Sequence, residues 1–145
     1  MAERATEQIR IDAPSERCFE VILDFERYPE WAGDIREVEV VERDEESRGT
    51  KVAYRAAAMG RSARYTLEYD LSDAPHAVSW KLVEGDIMRV LDGTYTFDPE
   101  GDGTLVTYQL EVELVIPMPG FIKRRAQGKI MSTALRELKK HVESR

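Results

Sequence analysis

Residues 103–142 read Gly103-Thr104-Leu105-Val106-Thr107-Tyr108-Gln109-Leu110-Glu111-Val112-Glu113-Leu114-Val115-Ile116-Pro117-Met118-Pro119-Gly120-Phe121-Ile122-Lys123-Arg124-Arg125-Ala126-Gln127-Gly128-Lys129-Ile130-Met131-Ser132-Thr133-Ala134-Leu135-Arg136-Glu137-Leu138-Lys139-Lys140-His141-Val142. Before Pro117 the apolar period is two: Val106, Tyr108, Leu110, Val112 and Leu114 share one face, and Thr107, Gln109, Glu111 and Glu113 the other. That alternation predicts a strand, over 103–115, in a sheet with one wet side. After Gly120 the period changes. Gly128, Met131, Leu135, Leu138 and Val142 recur at steps of three and four, which predicts a helix of about 24 residues with one apolar stripe. A stripe of that length needs a partner surface, and the apolar face of a sheet supplies one.

Working back towards the N-terminus, five more strand-like segments precede this one, at 35–43, 50–59, 61–72, 77–84 and 86–98. Turn signals near Gly49, Gly60, Ala74-Pro75, Gly85 and Glu100-Gly101-Asp102-Gly103 leave only short connections, so antiparallel neighbours are expected. Ile9 and Ile11 mark a first short strand ending at Ala13-Pro14, and Pro14 suits the first turn of a helix whose apolar face is Cys18, Phe19, Ile22 and Leu23. Pro29 predicts a second short turn before Gly33. Residues 1–145 therefore read as one α+β domain, with a sheet of about seven strands, two short helices after the first strand and a long C-terminal helix.

Lys+Arg 21 against Asp+Glu 28 gives a net charge of −7, which excludes a general electrostatic DNA binder. The charge is unevenly placed. Residues 121–145 carry eight basic side chains against Glu137 and Glu143, a local +6 that leaves −13 on residues 1–120. The single cysteine, Cys18, excludes an internal disulfide and suits a reducing cytoplasm. The N-terminus lacks a signal-like apolar run, and no apolar stretch has transmembrane length, so the chain reads as cytoplasmic.

Motifs that would place a metal, a nucleophile, a phosphate cradle or a dinucleotide (HExxH, CxxC, GxSxG, Walker A, GxGxxG) are missing, and no metal or cofactor is expected. His76 sits in a turn and His141 near the exposed end of the last helix. The unusual feature lies on the inward face. Tyr65, Tyr69, Trp80, Tyr95 and Tyr108 have the parity of the apolar residues, and Tyr54 joins them. Buried Tyr and Trp need partners for their polar tips, whereas a ligand cavity combines an apolar lining with a few orienting polar groups. The plainer reading is an amphipathic core whose tips reach the surface. By the same parity Arg89 falls inward with Ile87, Leu91, Tyr95 and Phe97, unless a bulge, for which Gly93 offers a place, reverses the register. Gly128 within the last helix implies close approach to the sheet or room for a ligand. Lys123, Arg124 and Arg125 stand in the first turns of that helix, where its dipole disfavours them, beside apolar Pro117–Ile122. A solvated face is the plain account; contact of Phe121 and the three cations with an anionic head group or membrane surface is the sharper one.

Ile9-Arg10-Ile11-Asp12-Ala13-Pro14, Cys18-Phe19-Glu20-Val21-Ile22 and Asp24-Phe25-Glu26-Arg27-Tyr28-Pro29-Glu30-Trp31, the last matching a D-x-x-x-Y-P-x-W entry, carry a family likeness. So do Gly93-Thr94-Tyr95-Thr96-Phe97, Gly103-Thr104-Leu105-Val106-Thr107-Tyr108 and Pro119-Gly120-Phe121. On these the chain resembles the START-like SRPBCC superfamily, and within it small bacterial proteins labelled polyketide cyclase/dehydrase or coenzyme-Q-binding-like. The resemblance implies a helix-grip fold, a curved antiparallel sheet around the C-terminal helix with an apolar cavity between. The Cys and His pairs of a Rieske site are missing. The expectation is a module binding a small hydrophobic or lipid-like molecule (quinone, fatty acyl or polyketide-like), with Tyr54, Tyr65, Tyr69, Trp80, Arg89, Tyr95, Tyr108, Met131 and Leu135 as ligand contacts. A polyketide aromatase/cyclase or dehydratase using Arg89 or Tyr95 is the second expectation, and a ribosome-associated role for the basic helix the third.

Overall fold

The β-branched and aromatic residues spaced by two from Ile35 onward form strands because each can pack one face and solvate the other. The structure is a computed structural model and describes residues 3–58 and 60–144. The elements run β1 (Glu3–Ile11), α1 (Ser15–Leu23), a 3₁₀ turn (Phe25–Arg27), α2 (Tyr28–Trp31), β2 (Ile35–Arg43), β3 (Gly49–Ala58), β4 (Arg61–Asp70), β5 (Ala77–Gly85), β6 (Met88–Glu100), β7 (Gly103–Leu114) and α3 (Gly120–Glu143). Among the described residues the seven strands make one antiparallel sheet in the order β1-β7-β6-β5-β4-β3-β2. The six strands expected from residue 35 onward are present with ends shifted by up to two residues, and the first strand and the helices are present as well; Met59, the expected end of β3, lies outside the described residues. Among those residues no helix is long and apolar enough to cross a membrane.

The sheet wraps one side of α3, and the stripe explains how. Met131, Leu135, Leu138 and Val142 are almost wholly buried, in one cluster with Ile11, Cys18, Val106 and Phe97. Burying a side chain of this size stabilises by roughly 1.5–3 kcal/mol, so these four anchor the helix. Polar bonds add register. Gln127 Nε2 donates to the carbonyls of Glu3 (3.1 Å) and Leu110 (3.0 Å), and Ser132 donates to Glu7 (2.7 Å).

Four local expectations change. β1 starts at Glu3, well before Ile9, because its polar first half is held by the ladder to β7 and by these α3 contacts rather than by apolar burial. Pro14 precedes α1 with extended ψ (153°), its carbonyl accepting from the Arg17 and Cys18 amides. Gly93 is no bulge: a Cβ there would stand 2.5 Å from the Trp80 ring, so glycine makes room for the indole. Gly128 approaches nothing closely. A Cβ would meet only Glu7 Oε2, at 3.8 Å, and Gly128 is absent from the lining of the two cavities between α3 and the sheet.

Candidate functional site

Strand pairing turns the inward tyrosines into a continuous aromatic strip. Tyr54 lies opposite Tyr65, Tyr69 opposite Trp80, and Tyr95 opposite Tyr108. Cross-strand neighbours stand close enough for their rings to touch. Centroids are 5.2 Å apart for the first pair, 6.0 Å for the second and 4.5 Å for the third, with Trp80 bridging to Tyr95 at 5.3 Å. All six line a cavity of about 190 Å³ between the sheet and α3. Its roof is α2 and the loop after it. Tyr28 stacks over Tyr54 (6.2 Å), and Trp31 packs on Tyr28 (5.2 Å) and stacks on His141 of α3 (5.4 Å). Gly33 N donates to Glu137 Oε2 (3.2 Å), tying the loop to the helix.

A second, adjoining cavity of about 150 Å³ shares Asp34, Ile35, Tyr65, Leu91, Leu110 and Ile130 with the first, so the two are neighbouring compartments of the cleft between the sheet and α3. Its lining is different. Ala56, Ala63, Met88, Val112 and Ala126 leave room where the first compartment has rings, and Lys123, Glu3 and Glu113 stand at its far end.

The polar tips are arranged, not left over. The Tyr54 and Tyr69 hydroxyls are hydrogen-bonded at 2.5 Å, and Tyr28 donates to the Ile22 carbonyl. Burial, reinforced by neighbouring phenols, pushes the pKa values of Tyr28, Tyr54, Tyr69 and Tyr95 upward, and burial also raises those of Tyr65 and Tyr108. These phenols are therefore neutral at physiological pH and can donate. Among the described residues the Tyr65 hydroxyl has no hydrogen-bond partner. The ionisable side chains other than phenols that line the aromatic compartment are Asp34 and Glu137, both acidic.

The expected contacts divide accordingly. Tyr54, Tyr65, Tyr69, Trp80, Tyr95 and Tyr108 are brought together. Met131 and Leu135 are not part of the lining: they point into the packed core, and Ile130 and Ala134, one residue earlier on the helix, face the cavity. Arg89 is on the outer face, its side chain 72% exposed and 3.7 Å from Glu113. The reason is a bulge at Arg89 itself, between the Met88–Leu114 and Val90–Glu113 pairs, which turns Met88 inward and Arg89 out. Tyr28 and Trp31 were missed as lining. The Tyr28-Pro29-Glu30-Trp31 run was the signal, since two large aromatics on a four-residue helix must cover something. His76 stands apart, exposed and 3.7 Å from Asp98.

An antiparallel sheet gripping a long C-terminal helix over an apolar cleft defines a helix-grip protein of the START-like class. The chain belongs to the polyketide cyclase/dehydrase and lipid transport family, whose model matches residues 2–143. Among solved structures it is similar to a START superfamily protein from Mycobacterium smegmatis (22% identity, 97% of each chain, TM-score 0.91). A protein from Thermus thermophilus aligns at 29% identity over 98% of each chain, with a TM-score of 0.82. The Zhui aromatase/cyclase from Streptomyces sp. R1128 shares the fold at 13% identity, over 99% of this chain and 94% of that one, with a TM-score of 0.85. No functionally curated protein matches significantly.

Proposed function

We propose that the protein binds a small, neutral, hydrophobic molecule with carbonyl-type acceptors, of the quinone or aromatic polyketide kind, between the aromatic strip and α3. The observation that carries this is the unpartnered Tyr65 hydroxyl among stacked, neutral phenols, in a compartment whose ionisable rim is acidic. Planar rings fit between Tyr and Trp faces, and the Tyr65 hydroxyl, which bonds no other described residue, can donate to an acceptor oxygen of the ligand. A fatty acid is the poorer match for the aromatic compartment, because its carboxylate would meet Asp34 and Glu137 there, and Lys123 of the aliphatic compartment is accompanied by Glu3 and Glu113. Size agrees. An apolar cavity of roughly 150 Å³ holds a benzene-sized molecule, so two joined compartments suit a ligand of two or three rings, or one ring with a short tail.

Titration of the tryptophan fluorescence with quinones, aromatic polyketides and fatty acids, with native mass spectrometry for stoichiometry, tests the reading. Saturable one-to-one binding of the ring compounds is expected, and indifference to the whole panel would overturn it. Cyclisation or dehydration of such a ligand is the second reading. It now rests on Tyr95, which faces the cavity, since Arg89 is on the outer face. Turnover would then fall steeply in Tyr95→Phe while binding survives.

A further inference from the structure

The large hydrophobic side chains left exposed among the described residues are Val41, Val83, Val115, Phe121, Ile122 and Ile130. Four of these six fall within residues 115–130, around the N-terminal end of α3, with Phe121 at 64%, Val115 at 44% and Ile122 at 40% exposure. Cations surround them. Lys123, Arg124, Arg125 and Lys129 lie on the same turns of α3, and the bulge that expels Arg89 from the core leaves it beside Glu113, one residue from Leu114 at the end of β7. Glu3 and Glu113 offset part of this charge through Arg124 and Arg89, while Arg125 and Lys129 make no ion pair among the described residues. The first turn of α3 holds no acidic residue, so the helix dipole meets like charge there. A chain with a net charge of −7 thus gathers cations and exposed apolar side chains at one end of its cleft, where Lys123 and Ala126 wall the aliphatic compartment.

We propose that this end of the molecule docks on an anionic lipid bilayer, with Phe121 and Ile122 entering the interface and Lys123, Arg124, Arg125 and Lys129 lying against the head groups. Charge complementarity selects an anionic surface, and the exposed aliphatic side chains select a bilayer over a nucleic acid, whose phosphates would use the cations and leave Val115 and Ile122 uncovered. The aliphatic compartment then opens towards the phase in which an apolar ligand is dissolved. Docking extends the ligand-binding reading without depending on it, because the surface is complete with the cavity empty.

The test is flotation of the full-length protein with vesicles of phosphatidylcholine alone or mixed with phosphatidylglycerol, with no ligand added. Binding is expected to the mixed vesicles, to weaken at least tenfold in 0.5 M salt, and to be lost in Phe121→Ser/Ile122→Ser and in Lys123→Glu/Arg124→Glu/Arg125→Glu. Because Lys123→Glu and Arg124→Glu also remove contacts to the Leu114 carbonyl and to Glu3, Arg125→Glu/Lys129→Glu, which breaks no ion pair among the described residues, is the control: its flotation should be weakened with the thermal midpoint unchanged, which separates lost docking from lost folding. Absence of flotation with mixed vesicles overturns the proposal, as does equal binding to phosphatidylcholine alone. Salt-sensitive sedimentation with ribosomes without vesicle binding, or self-association abolished by the serine variant without vesicle binding, overturns it in favour of RNA or of a second copy. Failure of the ligand-binding reading would instead show in the fluorescence panel and leave flotation intact.

Discussion

The two compartments of the cleft are built by the same sheet and the same helix, yet one is lined by aromatic rings and the other by Ala56, Ala63, Ala126 and Met88. In the first, cross-strand pairs lock Tyr54 against Tyr65 and Tyr95 against Tyr108, so shape and hydrogen-bonding tips are set before any ligand arrives. In the second, small side chains leave volume and the unbranched Met88 can refill it. A rigid aromatic end suits orientation, and an adaptable aliphatic end suits variation in ligand length. Pre-organisation and tolerance are thus separated along a single cleft.

The sharpest way to break that comparison is to fill one compartment at a time. Ala134→Trp, on the helix wall of the aromatic end, should abolish binding of ring ligands, on the order of a hundredfold or more, whereas Ala63→Leu at the aliphatic end should discriminate only against longer tails; fluorescence titration reads both. Alkali should strike the aromatic end next. Its phenols have pKa values raised by burial above the ordinary value near 10, so the folded state holds their protons longer than the unfolded state. Stability is then full below about pH 10 and falls as the pH climbs beyond it, and phenolate absorbance should appear together with loss of circular dichroism. Phenolate absorbance appearing near pH 10 with the fold intact would show these phenols to be open to solvent.

Two hydroxyl deletions compare neighbours within the strip. Tyr54→Phe strands the Tyr69 hydroxyl and should cost about 1–3 kcal/mol in chemical denaturation. Tyr65→Phe should leave stability nearly unchanged and weaken binding of carbonyl ligands roughly three- to tenfold. The opposite pattern would mean that the Tyr54–Tyr69 bond is the dispensable one. Gly128→Ala, outside both compartments, should raise stability by up to about 1 kcal/mol with ligand affinity unchanged, because the new methyl meets only Glu7 at ordinary contact distance.

Much of the fold was legible because alternation over Val106–Leu114 and the stripe from Met131 to Val142 each have one physical solution: bury the apolar face against the other element. The polar half of β1 was not, since Glu3–Gln8 carries little apolar signal and becomes a strand through partners 99 or more residues away. At the site, parity identified the six aromatics of the strip. It failed at Arg89, where one bulged residue reverses the faces, and on α3, where the most buried residues pack into the core and the cavity takes the edge of the stripe at Ile130 and Ala134.

Away from the bulge at Arg89, the sequence by itself therefore determined which side chains face the interior, because periodicity is a local property of backbone geometry. Tertiary structure alone decided which of them enclose space and which fill it. That outcome depends on strand register, on where one bulge falls, and on how far α3 stands from the sheet, and each of these is set by contacts between residues distant in the chain.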